Sequence, residues 1–179
     1  ASASEDKSIR LWNVSTGRET GTLPWPLMGA TALAFSPDGK FLATAGINAS
    51  LCTLASRAAA SLPKQVGAFA KCVAFAPDGR LLVAGRAGIW LCAPGSWEGV
   101  LQVDSSGDRA RGVAFSPDGA IVAVADGESV VLWDVKTASR LHVLRGHSGA
   151  VAGVAFSPDG RLIASGGADK SVRVWGAGL

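Results

Sequence analysis

The sequence predicts an all-β fold built from about four repeats of four antiparallel strands, and three observations carry that prediction. A five-residue pattern recurs as Phe35-Ser36-Pro37-Asp38-Gly39, Phe75-Ala76-Pro77-Asp78-Gly79, Phe115-Ser116-Pro117-Asp118-Gly119 and Phe156-Ser157-Pro158-Asp159-Gly160. Its phenylalanines stand 40, 40 and 41 residues apart, a regular period that marks a repeat architecture. The apolar residues come in short runs, and 23 glycines and 8 prolines supply frequent turns, which favours short strands over long helices. Finally, 48% of the 179 residues are apolar and 17% charged, enough for a packed core and too little charge for a disordered tail.

Each strand follows from its surroundings. Proline presets φ for the second position of a type I turn, aspartate tolerates the third, and glycine takes the left-handed conformation that follows. Ser-Pro-Asp-Gly is therefore a tight hairpin. In the last repeat Val154-Ala155-Phe156 precedes it and Leu162-Ile163-Ala164 follows it. A second turn at Gly166-Gly167-Ala168-Asp169 leads into a third strand, Val172-Arg173-Val174-Trp175. The fourth strand is clearest one repeat earlier, as Arg140-Leu141-His142-Val143-Leu144. Runs such as Ile121-Val122-Ala123-Val124 are apolar on both sides, as strands packed between neighbouring sheets must be. Four strands per period is the content of one propeller blade, with repeat units at 1–27 (partial), 28–67, 68–107, 108–147 and 148–179 (partial).

On these motifs the chain resembles the WD-repeat β-propeller family. The fullest repeat carries Gly146-His147, Phe156-Ser157-Pro158-Asp159-Gly160, Ala164-Ser165-Gly166, Asp169 and Val172-Arg173-Val174-Trp175. The Trp-Asp pair that names the family stands at Trp133-Asp134, with Trp12-Asn13 a close variant. The resemblance implies a buried structural network of His147, Ser165, Asp169 and Trp175, in which four costly polar groups satisfy one another. It also implies partner binding on the loops at one face, here with Lys71, Arg86, Arg109, Arg111, Glu128 and Arg145.

The other repeats depart from the pattern. The second has Thr44 and Asn48 at the Ser165 and Asp169 places, with Leu54 expected at the tryptophan place. The third has Ala84 and Cys92 at the serine and tryptophan places, with Trp90 elsewhere on its strand and a shortened turn at Gly85-Arg86-Ala87-Gly88. The fourth keeps Trp133 but carries Val124 for the serine, and its Asp126-Gly127 is a strong hairpin signal. Residues 1–12, ASASEDKSIRLW, match residues 164–175, ASGGADKSVRVW. A self-closed ring would not need that duplicate, so the reading is a piece of a longer array, or a chain completed by another chain, foremost a homodimer that builds a larger propeller.

The patterns exclude most chemistry. The turn aspartates recur once per repeat, so geometry spreads them instead of pairing them as an acid-base couple. Two histidines and three cysteines without close ligand spacing do not make a metal site, and no phosphate loop, Rossmann fingerprint or Gly-x-Ser-x-Gly occurs. A catalytic dyad of His147 and Asp169 is the sharper alternative to the structural network, but it would need a nucleophile and the geometry of a triad. The net charge of +3 is spread, without the basic cluster and stacking aromatics of a nucleic-acid binder. No apolar run reaches membrane-spanning length. Cys52, Cys72 and Cys92 form no CxxC pair, which fits a reducing, cytoplasmic setting. Trp25 and Trp97 lie off the third strands and are the tryptophans expected to be partly exposed, packed at an edge strand, the alternative being a role in binding. The function expected is therefore a non-catalytic protein-protein interaction scaffold without a cofactor, the alternative being a structural propeller segment that self-assembles.

Overall fold

The computed structural model describes residues 1–4, 6–23, 30–97, 99–104 and 109–176. They form five antiparallel sheets, each with its strands in chain order. The first holds β1 (Ser2–Ala3), β2 (Ile9–Trp12) and β3 (Glu19–Leu23). The second holds β4 (Ala32–Phe35), β5 (Phe41–Ala45), β6 (Ser50–Thr53) and β7 (Ala58–Ser61). After a single helical turn, α1 (Lys64–Gly67), come β8 (Ala70–Phe75), β9 (Leu81–Gly85), β10 (Gly88–Cys92) and β11 (Gly99–Asp104). The fourth sheet has β12 (Ala110–Phe115), β13 (Ile121–Asp126), β14 (Ser129–Asp134) and β15 (Arg140–Arg145), and the last has β16 (Val151–Phe156), β17 (Leu162–Gly167) and β18 (Val172–Gly176).

The first strands of the four later sheets, β4, β8, β12 and β16, lie against one another in succession. This is the arrangement of consecutive propeller blades. The inner strands approach closely: a Cβ on Gly112 of β12 would lie 2.9 Å from the Cα of Gly153 of β16, so this crossing requires glycine. Four apolar layers fill the spaces between sheets. Ile9 and Leu23 meet Leu42 and Cys52; Ala43, Ala45 and Leu51 meet Val73, Leu81 and Val83; Leu82, Ala84 and Leu91 meet Val122 and Val124; Ala123, Val130 and Leu132 meet Val151 and Ile163. Each fully buried Leu, Ile or Val contributes about 1.5–3 kcal/mol relative to exposure. The sheets thus stabilise one another across their faces.

The turn chemistry sets the register. In three hairpins the serine hydroxyl donates to the aspartate two residues on, as Ser36 to Asp38 at 2.6 Å. The same oxygen accepts the next strand's first N–H, from Phe41, Ile121 and Leu162 at 2.9 Å each. The glycines follow with φ of 68°, 71° and 72°. Phe35, Phe115 and Phe156 then face Leu42, Val122 and Ile163. In the third repeat Ala76 has no hydroxyl to hold the N–H of Leu81. The backbone closes one residue tighter, with Ala76 N–H donating to the Arg80 carbonyl at 2.8 Å, and Phe75 faces Leu81.

This register corrects two sequence assignments. Trp175 faces Ile163, and the residue facing the corresponding Leu42 is Cys52, so Cys52, not Leu54, takes the tryptophan place of the second repeat. Ser165 faces Val154, and in the tightened third repeat the counterpart Val73 faces Val83. Val83, not Ala84, therefore takes the serine place there, because a one-residue slip exchanges the faces of a strand. Cys92 faces Leu81 and does hold the tryptophan place.

Candidate functional site

The last sheet gathers the most concentrated polar cluster described. Gly146-His147 follows β15, Ser165 lies on β17, Asp169 in the β17–β18 turn and Trp175 on β18. Trp175 Nε1 donates to Ser165 Oγ at 2.9 Å, and Ser165 Oγ lies 2.9 Å from His147 Nε2. His147 Nδ1 lies 2.8 Å from Asp169 Oδ2. Since the serine oxygen accepts from the indole, its own proton is free to go to Nε2. The imidazole proton then sits on Nδ1 and goes to the carboxylate, so every group in the chain has a partner. Ser171, which the sequence reading did not single out, donates its hydroxyl to Asp169 Oδ1 at 2.8 Å. The backbone N–H groups of Ser148 and Ser171 also reach this carboxylate, both at 3.0 Å.

The Ser171 hydroxyl, then His147 and the two backbone N–H groups, hold the Asp169 carboxyl well below the usual carboxylate range, against an opposing contribution from desolvation. A Cβ on Gly167 would lie 2.8 Å from His147 Nδ1, so the glycine leaves room for the imidazole. Serine, histidine and aspartate have the connectivity of a nucleophilic triad. Yet Ser165 is 2% exposed and its oxygen is occupied by the Trp175 indole. A nucleophile must reach substrate, and this one is sealed beneath its own sheet.

Among the described residues no other repeat has the complete chain of bonds; the first sheet keeps only its tryptophan–serine link, Trp12 Nε1 donating to Ser2 Oγ at 2.8 Å. Trp133 is flanked by Val124 instead of a serine, and among the described residues its buried Nε1 has no acceptor. At the serine place of the second repeat Thr44 turns its hydroxyl to the Ser50 carbonyl at 3.2 Å. Cys72 and Cys92 are buried, and burial pushes their thiols up to about 12. Cys52 is raised for the same reason. None is a ready thiolate, and the described residues contain no metal-binding cluster. No described helix is long and apolar enough to cross a membrane.

A second site lies where first strands begin, second strands turn into third strands, and fourth strands end. Strand order brings Lys71, Arg109 and Arg111, the turn residues Arg86 and Glu128, and Arg145 to this one end, and all six are exposed. The Lys71 carbonyl accepts from the Thr31 hydroxyl at 3.1 Å, and Arg109 pairs with Asp126 at 3.1 Å. Phe69 and Ile47 belong to the same end and were not foreseen from sequence. Phe69 is 53% exposed, adopts φ of 49°, and donates its N–H to the Ile47 carbonyl at 2.7 Å. The Arg86 guanidinium lies 5.7 Å from the Phe69 ring centre, within cation–π range. A loop phenylalanine carries no periodic signal, so its exposure could be found only from the fold. Trp97 is half-buried in the loop between β10 and β11 and packs edge-on against Phe41 of the second sheet and Phe75 of the third at 5.3 and 6.0 Å, between sheets and not along an edge strand; Trp25 falls outside the described residues.

Comparison with known proteins gives two findings. The family described as WD domain, G-beta repeat matches residues 18–52, 95–134 and 138–176. A coronin-like protein of Saccharomyces cerevisiae is 50% identical over 44 residues, a stretch covering 25% of this chain and 7% of that protein.

Proposed function

The chain belongs to the WD-domain, G-beta-repeat family, whose repeats generally mediate protein-protein interaction, and on that premise we propose that it is a non-catalytic recognition module working in the cytoplasm. The observation that carries this reading is exposed Phe69, bonded to Ile47 and covered by the Arg86 guanidinium, at the end of the sheets that also carries Lys71, Arg109 and Arg111. Exposed aromatic and arginine side chains together are the residue types that dominate interface energetics. The fitting partner is an acidic protein segment that offers one apolar side chain to Phe69 and Ile47. Its charge would steer encounter, and the apolar contact would hold it.

Selection of displayed peptides on the immobilised chain tests this. The reading expects enriched peptides to be acidic with an apolar anchor. It expects Phe69→Asp and Arg86→Glu each to weaken them at least tenfold, while Lys40→Glu, in a turn at the opposite end of the strands, leaves them unchanged. Binders that ignore the first two substitutions, or that are lost equally with Lys40→Glu, would overturn it.

A further inference from the structure

Four of the sheets turn from their third to their fourth strand through a residue in the left-handed region. These residues are Gly17, Arg57, Trp97 and Ala138, with φ of 65°, 55°, 54° and 53°, spaced along the chain as the repeated phenylalanines are. Left-handed backbone suits glycine and disfavours a bulky side chain. A tryptophan at this place is not something the turn itself requires, and such strained residues gather at binding sites. The Trp97 ring stands between the second and third sheets, edge-on to Phe41 and Phe75. It forms a wall common to two cavities, of 340 and 220 Å³.

The larger cavity runs along β7, with Phe41, Leu51 and Ala60 in its lining. Ala60 faces Leu51, which faces Ala43. In the fourth sheet the place of Ala60 is taken by His142, which faces Leu132 opposite Ala123. A methyl where the fourth sheet has an imidazole leaves the groove open. Strand β7 is also the outer strand least protected against pairing. Sheet edges are ordinarily blunted by charged side chains and bulges. Glu19 belongs to β3, Asp104 to β11, and Arg140 and Arg145 to β15, and each of these strands meets its neighbour with a register shift. The sequence of β7, Ala58-Ala59-Ala60-Ser61, has no charge, and its pairing has no shift. The Leu62 N–H donates inward to the Ala49 carbonyl at 2.9 Å, and bonding alternates along an antiparallel strand. Ala59 and Ser61 therefore turn their N–H and C=O groups outward.

The smaller cavity sets the sign of charge. Among the described residues its charged lining is Asp38 and Asp78. Lys40 and Arg80 pair with these carboxylates at 3.5 and 2.6 Å, but neither lines the cavity. We propose that the groove takes an extended basic protein segment that adds as a strand to β7. An apolar side chain of the segment sits beside Ala60 and Trp97, and a lysine or arginine reaches Asp38 and Asp78. Backbone bonds at a sheet edge supply affinity, and the cavities supply specificity. The site is separate from the Phe69 end of the strands and does not depend on the reading of that end.

Fluorescence anisotropy with a labelled peptide of alternating valine and threonine, ending in two arginines, tests the proposal on the whole chain. This peptide should bind. The same peptide ending in two glutamates should bind at least tenfold more weakly, and a backbone N-methylated version should not bind. Ala138 holds the corresponding left-handed place in the fourth repeat, so the fold accepts Trp97→Ala, which should weaken binding at least tenfold. Ala59→Pro, which removes an outward N–H at an edge that tolerates proline, should do the same. Should either variant lose the circular dichroism of the parent, Ala60→Lys, at an exposed position, carries the same expectation. Phe69→Asp should leave binding unchanged. Absence of binding, equal binding of the arginine and glutamate peptides, binding that survives N-methylation or the groove substitutions, or loss with Phe69→Asp would overturn the proposal. So would a doubled mass in light scattering that Ala59→Pro abolishes, since β7 would then be covered by a second copy of the chain.

Discussion

Replacing Val124 by threonine should stabilise the chain, although a polar group is added to a fully buried position. Val124 stands where Ser165 stands in the last repeat, facing Val113 and Val131, and the Trp133 indole N–H beside it has no acceptor among the described residues. A buried donor left without a partner costs about 1–3 kcal/mol. Exchanging a methyl for a hydroxyl forfeits roughly 0.8 kcal/mol of apolar transfer. The hydroxyl need not stay unpaired, because Thr44 at the equivalent place donates to the carbonyl of Ser50, the counterpart of Val131. The net expectation is a gain of about 1 kcal/mol. Val124→Ala, which only removes apolar volume, should instead cost roughly 2 kcal/mol. Urea unfolding followed by tryptophan fluorescence reads both as midpoint shifts at constant slope. The decisive comparison is a double-mutant cycle with Trp133→Phe, which removes the N–H; the threonine gain should vanish in that background. A gain that persists there, or a loss as large as that of alanine, would refute the assignment of Val124 to the serine place.

Two further outcomes follow from the last repeat and the turns. Ser165→Ala leaves both the Trp175 N–H and His147 Nε2 without their partner and should cost about 2–3 kcal/mol in the same denaturation assay; a neutral result would mean the bonds carry no stability. The carboxyls of Asp169, Asp38, Asp118 and Asp159 are all held below their ordinary value of 3.8, each chiefly by a serine hydroxyl. A depressed folded-state value gives stability that is complete above that ordinary value and erodes as pH falls below it toward the folded-state values. Thermal midpoints should therefore hold from neutral pH to about 5 and drop below 4, less steeply in Asp169→Asn; a flat profile down to pH 2 would contradict the turn chemistry.

The repeats were legible because Pro-Asp-Gly turns leave little freedom: the same three residues preset the same dihedrals at each occurrence. The network residues of the last repeat were legible for a related reason, since a histidine, a serine, an aspartate and a tryptophan at fixed places leave few other ways to be satisfied. The third-repeat assignment moved through a single missing hydroxyl. Ala76 looks like a conservative substitute for serine, but the lost acceptor for the Leu81 N–H tightens the hairpin and slips the register, putting Val83 where counting from the turn put Ala84. Leu54 was misplaced because the second repeat has no tryptophan to mark its third strand, and only the pairing of Leu42 with Cys52 settles the position. Phe69 was invisible because its exposure comes from where the loop before β8 emerges, not from any local pattern. Its positive φ is likewise a property of the assembled sheets.

Backbone hydrogen exchange of the chain with and without a selected acidic peptide tests the account most directly. Slowed exchange is predicted around Ile47, Phe69, Arg86 and Arg109 to Arg111, with the turns at Asp38, Asp78, Asp118 and Asp159 unchanged. Slowing confined to those turns, or to the outer strand β7, would contradict recognition through the loop end of the sheets.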